Sequence, residues 1–145
     1  MTSPLDGVKV LDLSRVLAGP FAGRMLADLG ADVVKVEPPE GDVTRAFGPN
    51  RPQTAYFRQQ NAGKRSITVD FRTAEGQATV KDLAAVADIV LENFRPGVLD
   101  KFGLGWPDLS AINPRLVMLS ISASASRVRS AIAPRTPGSS TPRPG

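Results

Sequence analysis

The 145-residue sequence contains no cysteine and no histidine. The first absence excludes disulfides, thiolate nucleophiles and cysteine-ligated zinc. The second removes every Ser-His-Asp or histidine-base mechanism from within this chain. With a single tyrosine, acid–base chemistry is left to Asp, Glu, Lys or Tyr56. No apolar run approaches the ~20 residues of a membrane span, and the first residues lack a signal-peptide pattern. A soluble, cytoplasmic protein with neither a metal centre nor a membrane partner is the expectation. The length, with 41% hydrophobic and 22% charged residues, fits one ordinary domain.

The last 24 residues lack acid altogether. Residues 1–121 hold 14 Lys and Arg against 14 Asp and Glu, whereas residues 122–145 hold four Arg and no acid, so the net charge of +4 belongs to the tail. Four arginines neutralise only a few phosphates, which makes nucleic acid an unlikely partner. The tail is built from Ser, Ala, Pro, Arg, Thr and Gly, with only Val128 and Ile132 as larger apolar residues. Such a composition buries too little apolar surface to offset the ~1–2 kcal/mol per residue that ordering costs, and disorder is expected.

Residues 1–121 alternate between β-rich runs and helical spacing. Residues 8–13 read as a strand entered from Pro4 and Gly7. Phe21, Met25, Leu26 and Leu29 fall at helical spacing, preceded by Gly19-Pro20 and followed by Gly30, which predicts a helix over 21–29. Residues 33–36 form the next strand of a right-handed βαβ unit. The polar, turn-rich stretch 40–63 is expected to be mostly loop. A third strand over 66–70 precedes a helix capped by Thr73 and running to about Val86. Then come a strand over 88–92, a helical turn over 96–102, a helix over 108–112 and a strand over 116–121. Five short strands separated by helices predict an α/β domain with a mostly parallel sheet and helices on both faces.

Ligands of such sheets bind beyond the carboxyl ends of the strands, and three exits carry unusual residues. The first, Ser14-Arg15-Val16-Leu17-Ala18-Gly19-Pro20, leads into a helix N-terminus able to receive an anion. It lacks G-x-G-x-x-G and by itself reads as an ordinary βα turn. The second, Asn61-Ala62-Gly63-Lys64-Arg65-Ser66, is followed across the strand by Arg72. It has neither the leading glycine nor the strand-before-loop order of a Walker motif, and the paired cations read as a solvated edge. The third, Glu92-Asn93-Phe94-Arg95-Pro96-Gly97, is followed by Lys101. An Asn-Phe pair there can hydrogen-bond and cover a flat ring, although a lone Phe is more often core.

In order, these segments resemble the class III coenzyme A transferases, the CaiB/BaiF family. The resemblance rests on Pro4-Leu5-Asp6-Gly7-Val8-Lys9-Val10-Leu11-Asp12-Leu13, Val16-Leu17-Ala18-Gly19-Pro20 and Leu29-Gly30-Ala31-Asp32-Val33-Val34-Lys35-Val36-Glu37-Pro38. The second and third exits and Asn113-Pro114-Arg115-Leu116 continue it, so that it covers about residues 4–121. It implies a Rossmann-like large domain, interlocked homodimers, and CoA or acyl-CoA as the bound molecule. By resemblance, Val16, Leu17 and Ala18 line the adenine and ribose region. Val69, Asp70, Phe71 and Arg72, with Asn93, Phe94 and Arg95, hold the nucleotide and pantetheine. Lys101 stands where a basic residue of the family meets phosphate. CoA carries several phosphate charges, which Arg72, Arg95 and Lys101 suit through charge-assisted hydrogen bonds. Pro38 departs from members that carry Arg there.

The resemblance also implies transfer of CoA between an acyl-CoA and a carboxylic acid through an Asp nucleophile, or an Asp–His pair in the racemase relatives. Both positions lie past the strand ending at Ile121. This chain continues Ser122-Ala123-Ser124-Ala125 and has no acid after Asp108, so no catalytic residue is assigned. The expectation is a truncated CoA-binding part of the large domain over 1–121, without activity of its own. The alternatives are a non-catalytic CoA-binding module and a racemase-type relative. Residues 122–145 read as out-of-frame translation of GC-rich DNA in preference to a natural low-complexity tail. Exposed apolar surface is expected on the last strand, and the interlocked dimer is not expected of the chain as it stands. Nothing in the sequence selects the acyl group.

Overall fold

A computed structural model describes residues 2–47 and 54–122, so the disorder expected of the tail lies outside the described residues from 123 onward. One sheet contains β1 (Lys9–Asp12), β2 (Asp32–Glu37), β3 (Arg65–Thr68), β4 (Ile89–Glu92) and β5 (Val117–Ser120). Their spatial order is β3-β2-β1-β4-β5, and all four pairings are parallel. The connections carry α1 (Ala18–Asp28), α2 (Ala55–Asn61), α3 (Ala74–Val86) and α4 (Trp106–Ile112). From β1 the chain moves outward to β2 and β3, then returns through α3 to place β4 on the other side of β1. The switch point of the topology therefore lies between β1 and β4, where open α/β sheets form their ligand crevice.

Strand alternation explains the two layers of helices. Val10 packs with Val33, Leu26 and Ala27, the last two from α1. Its neighbour Leu11 points the other way, into the main core with Val80 and Ala84 of α3 and Leu109 of α4. The α/β architecture expected from the sequence is thus present, with helices on both faces. β5 sends Met118 into the main core, but Val117 and Leu119 on the opposite face are 58% and 40% exposed.

Helix starts follow capping chemistry. The Thr73 hydroxyl accepts from the Gly76 N–H at 3.1 Å, as its place before α3 predicts. α1 begins at Ala18, three residues before the apolar spacing, and carries Pro20 in its first turn, where a missing N–H costs nothing. The expectation of loop over 40–63 is corrected. Val43–Ala46 is a 3₁₀ turn capped by Asp42, and α2 is capped by Thr54, whose hydroxyl accepts from the Phe57 N–H at 3.1 Å. With Phe57 and Gln60 its only buried residues, α2 has too little apolar periodicity to reveal itself. β3 stops at Thr68. Val69 still donates its N–H to the Glu37 carbonyl at 2.8 Å, and Asp70 opens the turn.

Candidate functional site

The carboxyl ends of β2, β1 and β4 deliver their loops to one edge of the sheet. The loop after β1 turns at Val16, whose φ of +71° is a left-handed conformation that a β-branched residue rarely adopts. Such a conformation costs of order 1–3 kcal/mol and persists only where its surroundings hold it. Here five consecutive backbone groups are tied. The Ser14 N–H donates to Asp12 Oδ1 at 2.9 Å, and the Ser14 carbonyl accepts from Lys35 Nζ at 2.8 Å. The Arg15 N–H donates to Asn93 Oδ1 at 2.7 Å, and the Arg15 carbonyl accepts from Asn93 Nδ2 at 2.7 Å. The Val16 N–H donates to Asp42 Oδ2 at 3.2 Å.

α1 closes on this loop through Gly19. A Cβ there would collide with the Ser14 side chain and stand 3.1 Å from Asn93 Cγ. The helix then starts with no side-chain cap from Leu17 and no acidic residue in its first turn. Its first N–H groups and the positive end of its dipole lie at the carboxyl edge, beside the buried Asp12–Lys64 pair whose ammonium also meets the Pro20 carbonyl.

Beneath the loop lies a charge-balanced network of Asp12, Glu37 and Asp42 with Lys35, Lys64 and Arg45. Lys64 Nζ meets Asp12 Oδ2 at 2.7 Å, the Pro20 carbonyl at 2.8 Å and Asn61 Oδ1 at 3.0 Å. Lys35 Nζ lies 3.1 Å from Asp42 Oδ2, and both side chains are 1% exposed. Arg45 grips Glu37 with two bonds of 2.7 Å, and Ser66 donates to the same carboxylate at 2.6 Å. Burial by itself would raise the Glu37 carboxyl. The hydrogen bonds from Arg45, Ser66 and the Asp42 amide, with the Arg45 charge, outweigh it and hold the group down at about 2. Asp42 is likewise lowered, because Thr44 and Lys35 outweigh its burial. Burial lowers Lys64 against the pull of Asp12.

The network corrects the reading of Lys64-Arg65 as a solvated edge. Arg65 is exposed and paired with Asp32 at 2.6 Å, but the Lys64 side chain is 1% exposed. Phe94 conforms to the core reading, packing edge-on to Phe71 with ring centres 5.9 Å apart, while Phe71 meets Phe102 at 5.5 Å. Val16, Leu17 and Ala18 form an exposed crest. Val69 is buried, so its backbone alone reaches the edge. Arg72 is exposed and already engaged, with Asp70 at 2.7 Å and Glu40 at 3.3 Å. Arg95 and Lys101 are exposed. Asn93 has both ends of its amide on Arg15.

Clefts open at this edge. One of about 480 Å³ is lined by Arg15, Glu40, Gly41, Asp42, Val43 and Arg45. Another, of about 320 Å³, lies between the exits of β4 and β5, with Phe94, Arg95, Trp106 and Ser120 in its walls. A cleft of similar size, about 350 Å³, sits at the opposite end of the strands beside Lys9 and Asp32, with Arg65 of the paired cations in its wall. Sequence reasoning did not find Arg15, Lys35 or Asp42 as site residues. Arg15 Nε is buried without a hydrogen-bond partner among the described residues, in the wall of the larger cleft. Lys35 and Asp42 reach loop residues 21 and 26 positions away, a separation that no local motif encodes. The one available signal was a lysine at a core-facing position of an apolar strand. Among the described residues no group of three or more acidic side chains is placed to hold a metal ion, and no helix is long and apolar enough to cross a membrane.

The model of CoA-transferase family III matches residues 5–130. The succinyl-CoA–D-citramalate CoA-transferase of Chloroflexus aurantiacus is 53% identical over 122 residues, which are 82% of this chain and 30% of that protein. The succinate–glutarate CoA-transferase of Agrobacterium fabrum is 50% identical over 127 residues, 81% of this chain and 32% of that protein. A CaiB/BaiF family protein from Brucella suis superposes with a TM-score of 0.78 at 55% identity, covering 83% of this chain and 33% of that one. The chain spans about a third of the length of the curated relatives it matches.

Proposed function

Because this chain belongs to CoA-transferase family III, we propose that residues 1–121 bind coenzyme A across the carboxyl edge of the sheet. They would be the nucleotide-holding part of a protein that moves CoA between an acyl-CoA and a carboxylic acid. The observation that carries the reading is convergence at one edge. The exits of β1 and β4 carry Val16, Leu17, Ala18 and Arg95 on the two sides of the switch point, and the exit of the outer strand β3 carries Asp70 and Arg72 at the same edge. The crest of Val16, Leu17 and Ala18 offers apolar contact to the adenine and ribose. The open first turn of α1 and the cations Arg95 and Lys101 suit the phosphates. Arg72 joins them by exchanging Asp70 and Glu40 for phosphate oxygens. The transferase names of the relatives favour transfer over racemisation.

In this reading the 145-residue chain binds CoA and does not turn it over, since it carries no acid after Asp108. Equilibrium titration of the purified chain with CoA tests the proposal. The expected result is one saturable site in the micromolar range. Replacing Arg95 and Lys101 together by Gln should weaken it about tenfold, as the loss of a charge-assisted bond implies. A folded chain that leaves CoA free at millimolar concentration overturns it.

A further inference from the structure

The crest that would touch the nucleotide depends on side chains that lie beneath it. Val16 sits at φ +71° although it is not glycine. Its N–H is held by Asp42 Oδ2, the oxygen that also faces Lys35 Nζ. The other oxygen of Asp42 accepts from the Thr44 N–H at 3.0 Å and the Thr44 hydroxyl at 2.8 Å, which fixes the carboxylate plane. The Asp42 N–H is in turn anchored on Glu37 Oε2 at 3.0 Å. Asp42 is 2% exposed, so a ligand lying on the crest meets the conformation Asp42 imposes and not Asp42 itself.

We propose that Asp42 is a positioning residue of the CoA site: by holding Val16 in the left-handed region, it sets the Val16-Leu17-Ala18 crest and the start of α1 in the arrangement that binds the nucleotide. The inference rests on the CoA reading given above and adds to it a residue that makes no contact with the ligand. Without the Asp42 carboxylate, the Val16 N–H loses its partner and only the ties on Ser14 and Arg15 resist relaxation of the left-handed turn, so the loop spends more of its time in relaxed conformations. Apparent affinity then falls by the fraction of chains that keep the competent loop.

Glycine at position 16 separates this role from plain structural support, because glycine adopts the left-handed region at no steric cost. CoA affinity is measured for the full chain, Asp42→Asn, Val16→Gly and the double variant. Asp42→Asn should weaken binding about tenfold with valine at 16, within what a strained non-glycine residue is worth, and less than about twofold with glycine at 16. The same suppression should appear for Thr44→Val, which loosens the Asp42 carboxylate but leaves Lys35 paired. That variant decides the matter if Asp42→Asn does not fold. Equal losses in both backgrounds, or no loss with valine at 16, overturn the positioning role. A folded wild-type chain that binds no CoA overturns the CoA reading itself and the inference with it.

Discussion

Asn93 holds Arg15 by both of its backbone groups, accepting from the Arg15 N–H and donating to the Arg15 carbonyl, each at 2.7 Å. This reciprocal pair ties the exit of β4 to the exit of β1 across the switch point of the sheet. Asn93→Asp keeps the shape but sets a carboxylate oxygen against the Arg15 carbonyl. We expect a loss of about 1–3 kcal/mol in urea denaturation, the cost of an unsatisfied, partly buried polar pair. An unchanged midpoint would show that the clasp does not hold the two loops together.

The Asp12–Lys64 pair crosses from β1 to the residue before β3, with side chains that are 0% and 1% exposed. Lys64→Met leaves Asp12 buried beside Ser14 without its cation, and should destabilise by about 3–5 kcal/mol. Gly23→Ala approaches the same pair from α1, because its Cβ would stand 2.6 Å from Asp12 Oδ2. It should be similarly severe, and Gly23→Ala with wild-type stability would contradict the packing described here.

Acid should weaken the domain through Glu37. Its folded carboxyl sits at about 2, below its ordinary 4.5, so the unfolded chain binds the proton more readily. The stabilisation is fully present above pH 4.5 and is lost as pH falls toward 2, by roughly 3 kcal/mol in all. Asp42 contributes in the same direction. Urea midpoints measured between pH 6 and pH 3 should fall, and Glu37→Gln should flatten that fall while lowering the plateau.

The uncovered face of β5 predicts self-association. Val117 and Leu119 lie on an edge strand, the position where unpaired backbone and apolar side chains recruit other chains. Val117→Lys with Leu119→Lys should raise the soluble, monomeric fraction in sedimentation without lowering the thermal midpoint by more than about 1 kcal/mol equivalent, as for exposed sites. A wild-type chain that stays monomeric at high concentration would remove the reason for those substitutions.

Most of the fold was legible because it follows from local rules. Strands appear as short apolar runs, α3 announces itself by Thr73, and α1 by Gly19-Pro20 and its apolar spacing. α2 was hidden because a two-turn helix capped by Thr54 buries only Phe57 and Gln60. The site was legible in part. The exits of β1 and β4 stand out in the chain, whereas the Asn61–Ser66 segment, read as another exit, leads into the amino end of β3, and the clamp on the loop at Val16 is assembled from Asp42, Lys35 and Asn93. Asn93 is 78 residues from Arg15, and only the parallel β1–β4 pairing brings them together. Lys64 misled for the same reason: a lysine next to an arginine reads as surface until Asp12, 52 residues away, is seen beside it.

The most direct test of a CoA site at the β1–β4 switch point is an amide NMR titration of the isotope-labelled chain with CoA. Resonances of Arg15, Val16, Ala18, Gly19, Asn93 and Arg95 should shift together and saturate with one constant. Saturable shifts confined to other parts of the sheet, or none in a well-dispersed spectrum at millimolar CoA, would contradict the account.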